Sequence, residues 1–121
     1  MNLQERILAF TDLGKYLQIE IYNESAEELR LAEVINPWFT KDNIEKSINT
    51  WCDQLKVDML TAWLNPYKLT EVENPKEVLV IMAGNIPLVG FHDLITVLIL
   101  GHKLIVKMSS SDNVLLKVII V

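Results

Sequence analysis

The sequence predicts an α/β fold in which a helical region precedes a strand–helix–strand unit. Three observations predict it. Apolar residues in the first part recur at helical spacing. After Pro75 they come instead in short continuous runs rich in Val and Ile. The charge divides at the same place: residues 1–74 hold 7 basic and 13 acidic side chains (−6), and residues 75–121 hold 4 basic and 3 acidic (+1). The acidic part reads as solvated helix faces and the near-neutral part as buried. The join falls near Asn74-Pro75, giving a helical region over 1–74 and a βαβ portion over 75–121.

Three helices are expected in the first region. Leu3, Ile7, Phe10, Leu13 and Leu17 form the stripe of the first. Ser25 with Glu28 has the form of a capping box, followed by Leu29, Ala32 and Ile35, and Asn36-Pro37 ends that helix. Thr40 or Asp42 opens the third, with the stripe Ile44, Ile48, Trp51, Leu55, Met59 and Trp63, and Asn65-Pro66 closes it.

The second region changes period. Val78–Met82 and Leu104–Val106 are continuous apolar runs of the kind found in strands buried on both faces of a parallel sheet. Leu88–Leu100 between them is long enough for a helix, which makes a βαβ unit. Ser109–Ser111 and Asp112 offer N-caps for a further helix from Asn113 onward. Two strands alone leave an open edge and an uncovered face, and the last helix is still apolar at its end. A chain that is a truncated piece of something longer is the simplest account. Self-association into a homo-oligomer is one way for such a chain to cover its apolar surface.

Composition narrows the function classes. A net charge of −5 argues against a nucleic-acid or anionic-membrane partner. The single cysteine forbids an internal disulfide, and MNLQERILAF lacks a signal-peptide apolar core, so the expected location is cytoplasmic. The longest apolar run, Leu94–Leu100 apart from Thr96, is far short of the ~20 residues that span a bilayer. There is no GxGxxG, GxxxxGK[ST], CxxC or HExxH, which disfavours a fingerprint Rossmann enzyme, a P-loop ATPase and a zinc protease.

Candidate site residues gather after the strands. Ala83-Gly84-Asn85 follows the first strand directly, and open α/β sheets bind ligands at strand carboxyl ends. Gly84 allows close backbone approach and Asn85 offers an amide donor. A plain strand-to-helix turn, with Asn85 as cap and Pro87 in the first helical turn, is the reading that spacing alone favours. Lys107, at the far end of the second strand, suits ribose hydroxyls or phosphate, or is simply solvated. Ser109-Ser110-Ser111 could bind phosphate at a helix N-terminus, but simple capping is the reading the residues alone favour. His92-Asp93 cannot act as a dyad, because helix neighbours do not face each other. Cys52 sits on the apolar stripe of the third helix without a cation to activate it, and reads as a core residue.

The segment AGNIPLVGFHDLITVLILGHKLIVKMSSSDN resembles bacterial acyl-CoA reductases, relatives of the fatty-acid reductase of bioluminescence, within the aldehyde dehydrogenase superfamily. NPWFTKDNIEKSINTWCDQL and AWLNPY are similar to that family's helical N-terminal region, so the likeness runs along the whole chain. It implies a Rossmann-like, aldehyde dehydrogenase-type cofactor domain, of which this chain would hold the start. Ala83, Gly84, Asn85, Ile86 and Pro87 match a superfamily segment whose asparagine stabilises an oxyanion, a role that passes to Asn85. Backbone just before it borders the cofactor, which points to Met82, Ala83 and Gly84. Gly101 through Lys107 match a segment whose lysine binds the adenosine ribose, a role that passes to Lys107.

Two departures bear on the cofactor. Ala83-Gly84 replaces a Pro-Trp pair, which changes the shape of the cofactor wall. Ser110 stands where an acidic residue often grips the ribose diol. Without that carboxylate a 2′-phosphate is not repelled, and Ser109 and Ser110 can receive it. The resemblance with these departures implies NADPH, with NADH as the alternative. It further implies a fatty acyl-CoA or other acyl thioester as substrate and an aldehyde as product, formed through a cysteine thioester. Cys52 does not match the family nucleophile, so the chain alone is expected to be inactive. The alternatives are a non-catalytic interaction module built on the amphipathic helices and a small stand-alone nucleotide-binding regulatory domain.

Overall fold

The computed structural model describes residues 1–120. Seven helices and two strands follow in the order α1 (Leu3–Gln18), α2 (Glu20–Glu24), α3 (Ala26–Ile35), α4 (Lys41–Gln54), α5 (Val57–Leu64), a 3₁₀ turn (Asn65–Tyr67), β1 (Glu77–Ile81), α6 (Phe91–Ile99), β2 (Lys103–Lys107) and α7 (Leu115–Ile120). The mixed helix-and-sheet class is as expected from the sequence.

The helical region holds five helices rather than three. α1 opens on Asn2, whose side chain accepts from Glu5 N (2.9 Å) while its own N–H donates to Glu5 Oε2 (2.7 Å). That reciprocal pair is a capping box. The box expected at Ser25 does not form, since Ser25 makes no side-chain cap bond to α3. Thr40 does cap α4, accepting from Asn43 N at 3.2 Å.

The expected third helix breaks between Gln54 and Val57. Leu55 is driven into the core at 1% exposure, against Gly14 of α1. After the break the buried stripe advances by one residue: Leu60 and Leu64 are buried, and Met59 is 42% exposed.

β1 and β2 pair in parallel, with Glu77 opposite Lys103 and Ile81 opposite Lys107. Burial alternates along both strands. Val78, Val80, Leu104 and Val106 are half-buried, and Val80, Leu104 and Val106 pack on the core. Leu79, Ile81 and Ile105 are exposed. The strands are therefore not buried on both faces. α6 packs against one face of the sheet, and the opposite face is open at Leu79, Ile81 and Ile105. α6 also begins at Phe91, later than Leu88, because residues 87–90 turn first and Leu88 has φ +60.

One apolar cluster draws on both regions, including Ile7, Leu17, Ile48 and Leu55 from the helices and Phe91, Ile95, Ile99 and Leu115 from the rest. Trp51 meets Phe91 edge to face at 4.9 Å, a geometry that adds ~0.5–1.5 kcal/mol beyond burial. Arg6 Nε donates to Ile99 O at 2.7 Å, satisfying a carbonyl in the last turn of α6. Among the described residues no helix is long and apolar enough to cross a membrane.

Candidate functional site

The parallel register brings two loops together. Ile81 pairs with Lys107 at the carboxyl ends of the strands, and Met82 N continues the pairing to Lys107 O at 2.9 Å. Residues 82–90 leave from β1 and residues 108–114 leave from β2 at the same edge. Six of the seven residues picked out by sequence lie in these loops and the seventh, Lys107, ends β2, so all seven share one sheet edge.

Their exposure differs. Ala83 and Asn85 are exposed, whereas Met82 and Gly84 are buried. The Met82 side chain occupies the space above Gly90, so only its main chain faces the edge. The Asn85 amide makes no hydrogen bond among the described residues. It does not cap α6, whose N-cap is Gly90 without any side-chain bond. Pro87 likewise lies in the turn before that helix.

Lys107 is exposed on the same face as Ile81, and forms no ion pair among the described residues. Ser109 begins a tight turn: its Oγ accepts from Ser111 N at 3.1 Å, and its carbonyl accepts from Asp112 N at 3.2 Å. Ser110 is exposed at the tip. Gly84 serves packing rather than ligand approach on the side where Ser109 presses against it.

α7 starts at Leu115 rather than Asn113. Asp112 is 8% exposed, and its Oδ1 has no hydrogen-bond partner among the described residues. Burial raises its carboxyl above the ordinary value, against a smaller downward pull from the N–H groups of Leu116 and Leu115. The carboxylate nearest Ser110 in sequence is thus turned away from the exposed edge.

A further residue of this edge comes from the helical region. Asn36, just past α3, donates from Nδ2 to Gly84 O (3.0 Å) and Ser111 O (3.2 Å). Sequence reasoning sees Asn36 only as the end of a helix before Pro37. Its one local signal is a polar residue next to the apolar stripe of α3.

The remaining candidates lie elsewhere. Gly101, at the opposite end of β2 from Lys107, adopts φ +88 beside the Arg6 guanidinium, so its role is in the turn into the strand. His92 and Asp93 stand in the first turn of α6, with the His92 ring 5.7 Å from Trp63 and 6.4 Å from Trp51. Cys52 is half-buried on α4. Burial chiefly, then Asp53, raises its thiol above the ordinary value, the reverse of activation.

A family model described as acyl-CoA reductase (LuxC) matches residues 11–121. No curated protein and no solved structure matches the chain.

Proposed function

The chain belongs to the acyl-CoA reductase (LuxC) family, and from that premise we propose that it serves the NADPH-dependent reduction of a fatty acyl thioester to an aldehyde. The observation that carries this reading is the register of the sheet, Ile81 opposite Lys107, which sets the Asn85 loop beside the Lys107–Ser110 segment.

The residues at this edge suit an anionic dinucleotide. Lys107 offers a cation without an ion-pair partner among the described residues, and Ser110 an exposed hydroxyl. Ser109 keeps a hydroxyl proton, because its oxygen acts as acceptor toward Ser111. Main chain at Met82, Ala83 and Gly84 would line the cofactor. The buried Asp112 leaves no carboxylate of this turn facing a 2′-phosphate, which supports NADPH over NADH. When bound, the nucleotide supplies hydride.

In this reading Asn85 acts on the acyl group. Its amide is exposed and has no hydrogen-bond partner among the described residues, so it can donate to the oxygen on which negative charge develops when a thiolate attacks the thioester. The attacking cysteine is assigned to no residue of 1–121. Cys52 is half-buried on α4, and its raised thiol pKa keeps it protonated. A thiol enzyme without disulfides suits a cytoplasmic location.

The test is acyl-CoA-dependent oxidation of NADPH by the catalytically complete protein. Asn85→Ala is expected to lower kcat by roughly 10²–10³ while leaving the NADPH dissociation constant unchanged. Wild-type protein should bind NADPH more tightly than NADH. An unchanged kcat refutes the role of Asn85, and equal affinities refute the cofactor preference.

A further inference from the structure

The two loops of the strand edge are tied together by a residue that belongs to neither. Asn36 is 7% exposed, and each of its polar groups is used. Nδ2 donates to Gly84 O and to Ser111 O. Oδ1 accepts from Trp38 N at 3.1 Å. Its backbone N–H donates to Ala32 O (3.0 Å), and its carbonyl accepts from Phe39 N (2.8 Å). A buried amide with every group satisfied has one orientation, and it is held there from α3 and the turn after it.

The two acceptors lie 27 residues apart, one in each loop. Both are carbonyl oxygens, so each needs a donor and neither can supply one to the other. A primary amide presents two protons in one plane and can serve both at once. Aspartate, of the same shape, has no proton to give when ionised, and leucine, of similar size, has none at all. Sheet pairing does not hold the loops beyond Met82 N and Lys107 O.

We propose that Asn36 is a positioning residue for the nucleotide edge. It sets the separation between the main chain around Asn85 and the turn that follows Lys107, so that a single dinucleotide reaches both. Nothing in Asn36 touches the ligand; its effect passes through Gly84 and Ser111. The proposal rests on the nucleotide-binding reading given above.

The test compares a ligand that spans both loops with one that reaches a single loop. NADPH spans them, and adenosine 2′-phosphate reaches only the Lys107–Ser110 side. Dissociation constants for both are measured by calorimetry on wild type, Asn36→Asp, Asn36→Leu and Asn36→Gln, each with a thermal melt to establish folding. Folded Asn36→Asp and Asn36→Leu should bind NADPH about tenfold or more weakly, the scale expected when buried carbonyls lose their donors. Adenosine 2′-phosphate should change by less than about twofold, and Asn36→Gln, which keeps both donors, should recover part of the loss. Equal loss for both ligands overturns the proposal, because it marks a general structural defect. No loss for either also overturns it.

If wild type binds neither nucleotide, the functional reading fails, and the tie itself is judged by proton exchange. The same measurement decides if the variants do not fold. In wild-type protein the Asn36 side-chain amide protons, which donate to Gly84 O and Ser111 O, should exchange slowly. Rapid exchange of the Asn36 amide overturns the tie.

Discussion

Ser109 fills the space that a side chain on Gly84 would need: a Cβ there would stand 2.5 Å from Ser109 Oγ and 2.7 Å from Ser109 Cβ. The two strand-end loops are thus in van der Waals contact through a residue with no side chain. Gly84→Ala should destabilise the fold by ~1–3 kcal/mol, as overpacking does. Ser109→Gly in the same molecule should relieve most of that. Denaturant unfolding of both single variants and the double variant measures the coupling. Additive effects would mean that this contact does not forbid a side chain at residue 84.

Leu88 combines two opposed demands. It is 3% exposed, so its side chain belongs to the core, yet its φ of +60 is one that L residues rarely adopt. Leu88→Ala should lose ~2–5 kcal/mol of packing and keep the backbone strain. Leu88→Gly loses the same packing but relaxes the strain, so it should be the more stable of the two by about 1 kcal/mol. Thermal melts that rank alanine above glycine would contradict the strained turn.

Asp112 predicts a pH dependence whose sign is opposite to that of a salt-bridged carboxylate. Burial raises its pKa in the folded chain, and the N–H groups of Leu116 and Leu115 offset this only in part. Between the ordinary value of 3.8 and the raised one, the folded chain holds a proton that the unfolded chain has released. Stability from this group therefore falls as pH rises through that window, and the penalty stays constant above it. Asp112→Asn should remove the penalty. The melting temperature of the variant relative to wild type should climb from pH 4 to pH 7. A constant difference over that range would show that Asp112 titrates normally.

Cys52 should behave as an inert thiol. Burial first and Asp53 second keep it protonated at neutral pH. It should react with a disulfide reagent several-fold more slowly than an unhindered cysteine at the same pH. Cys52→Ala should leave acyl thioester reduction unchanged in the catalytically complete protein. Loss of turnover in a folded Cys52→Ala variant would return this residue to the mechanism.

Strand positions were legible because their signals are local. Val78–Met82 and Leu104–Val106 lie within a residue of β1 and β2, and the edge shared by Asn85 and Lys107 follows from where those runs end. The bend at Leu55-Lys56 carries neither glycine nor proline. It arises because Leu55 packs on Gly14 of another helix, a contact that no local window contains. Ser25 has the residues of a capping box but not its bond, while Asn2 and Glu5 have both. Full burial of the strands was not met, since period-2 exposure appears wherever only one face is packed. Asn36 was legible as a helix end only, because its bonds reach 48 and 75 residues along the chain.

The apolar cluster that joins Leu17 and Leu55 to Phe91, Ile99 and Leu115 has a thermodynamic consequence. Helices and strand edge share one interior, so they should melt as a single cooperative unit. Any molecule that grips the edge then stabilises the helices through mass action, by ~2.7 kcal/mol at a hundred times its dissociation constant. The far-ultraviolet signal of α1 and α4, neither of which lies at that edge, becomes a gauge of its occupancy.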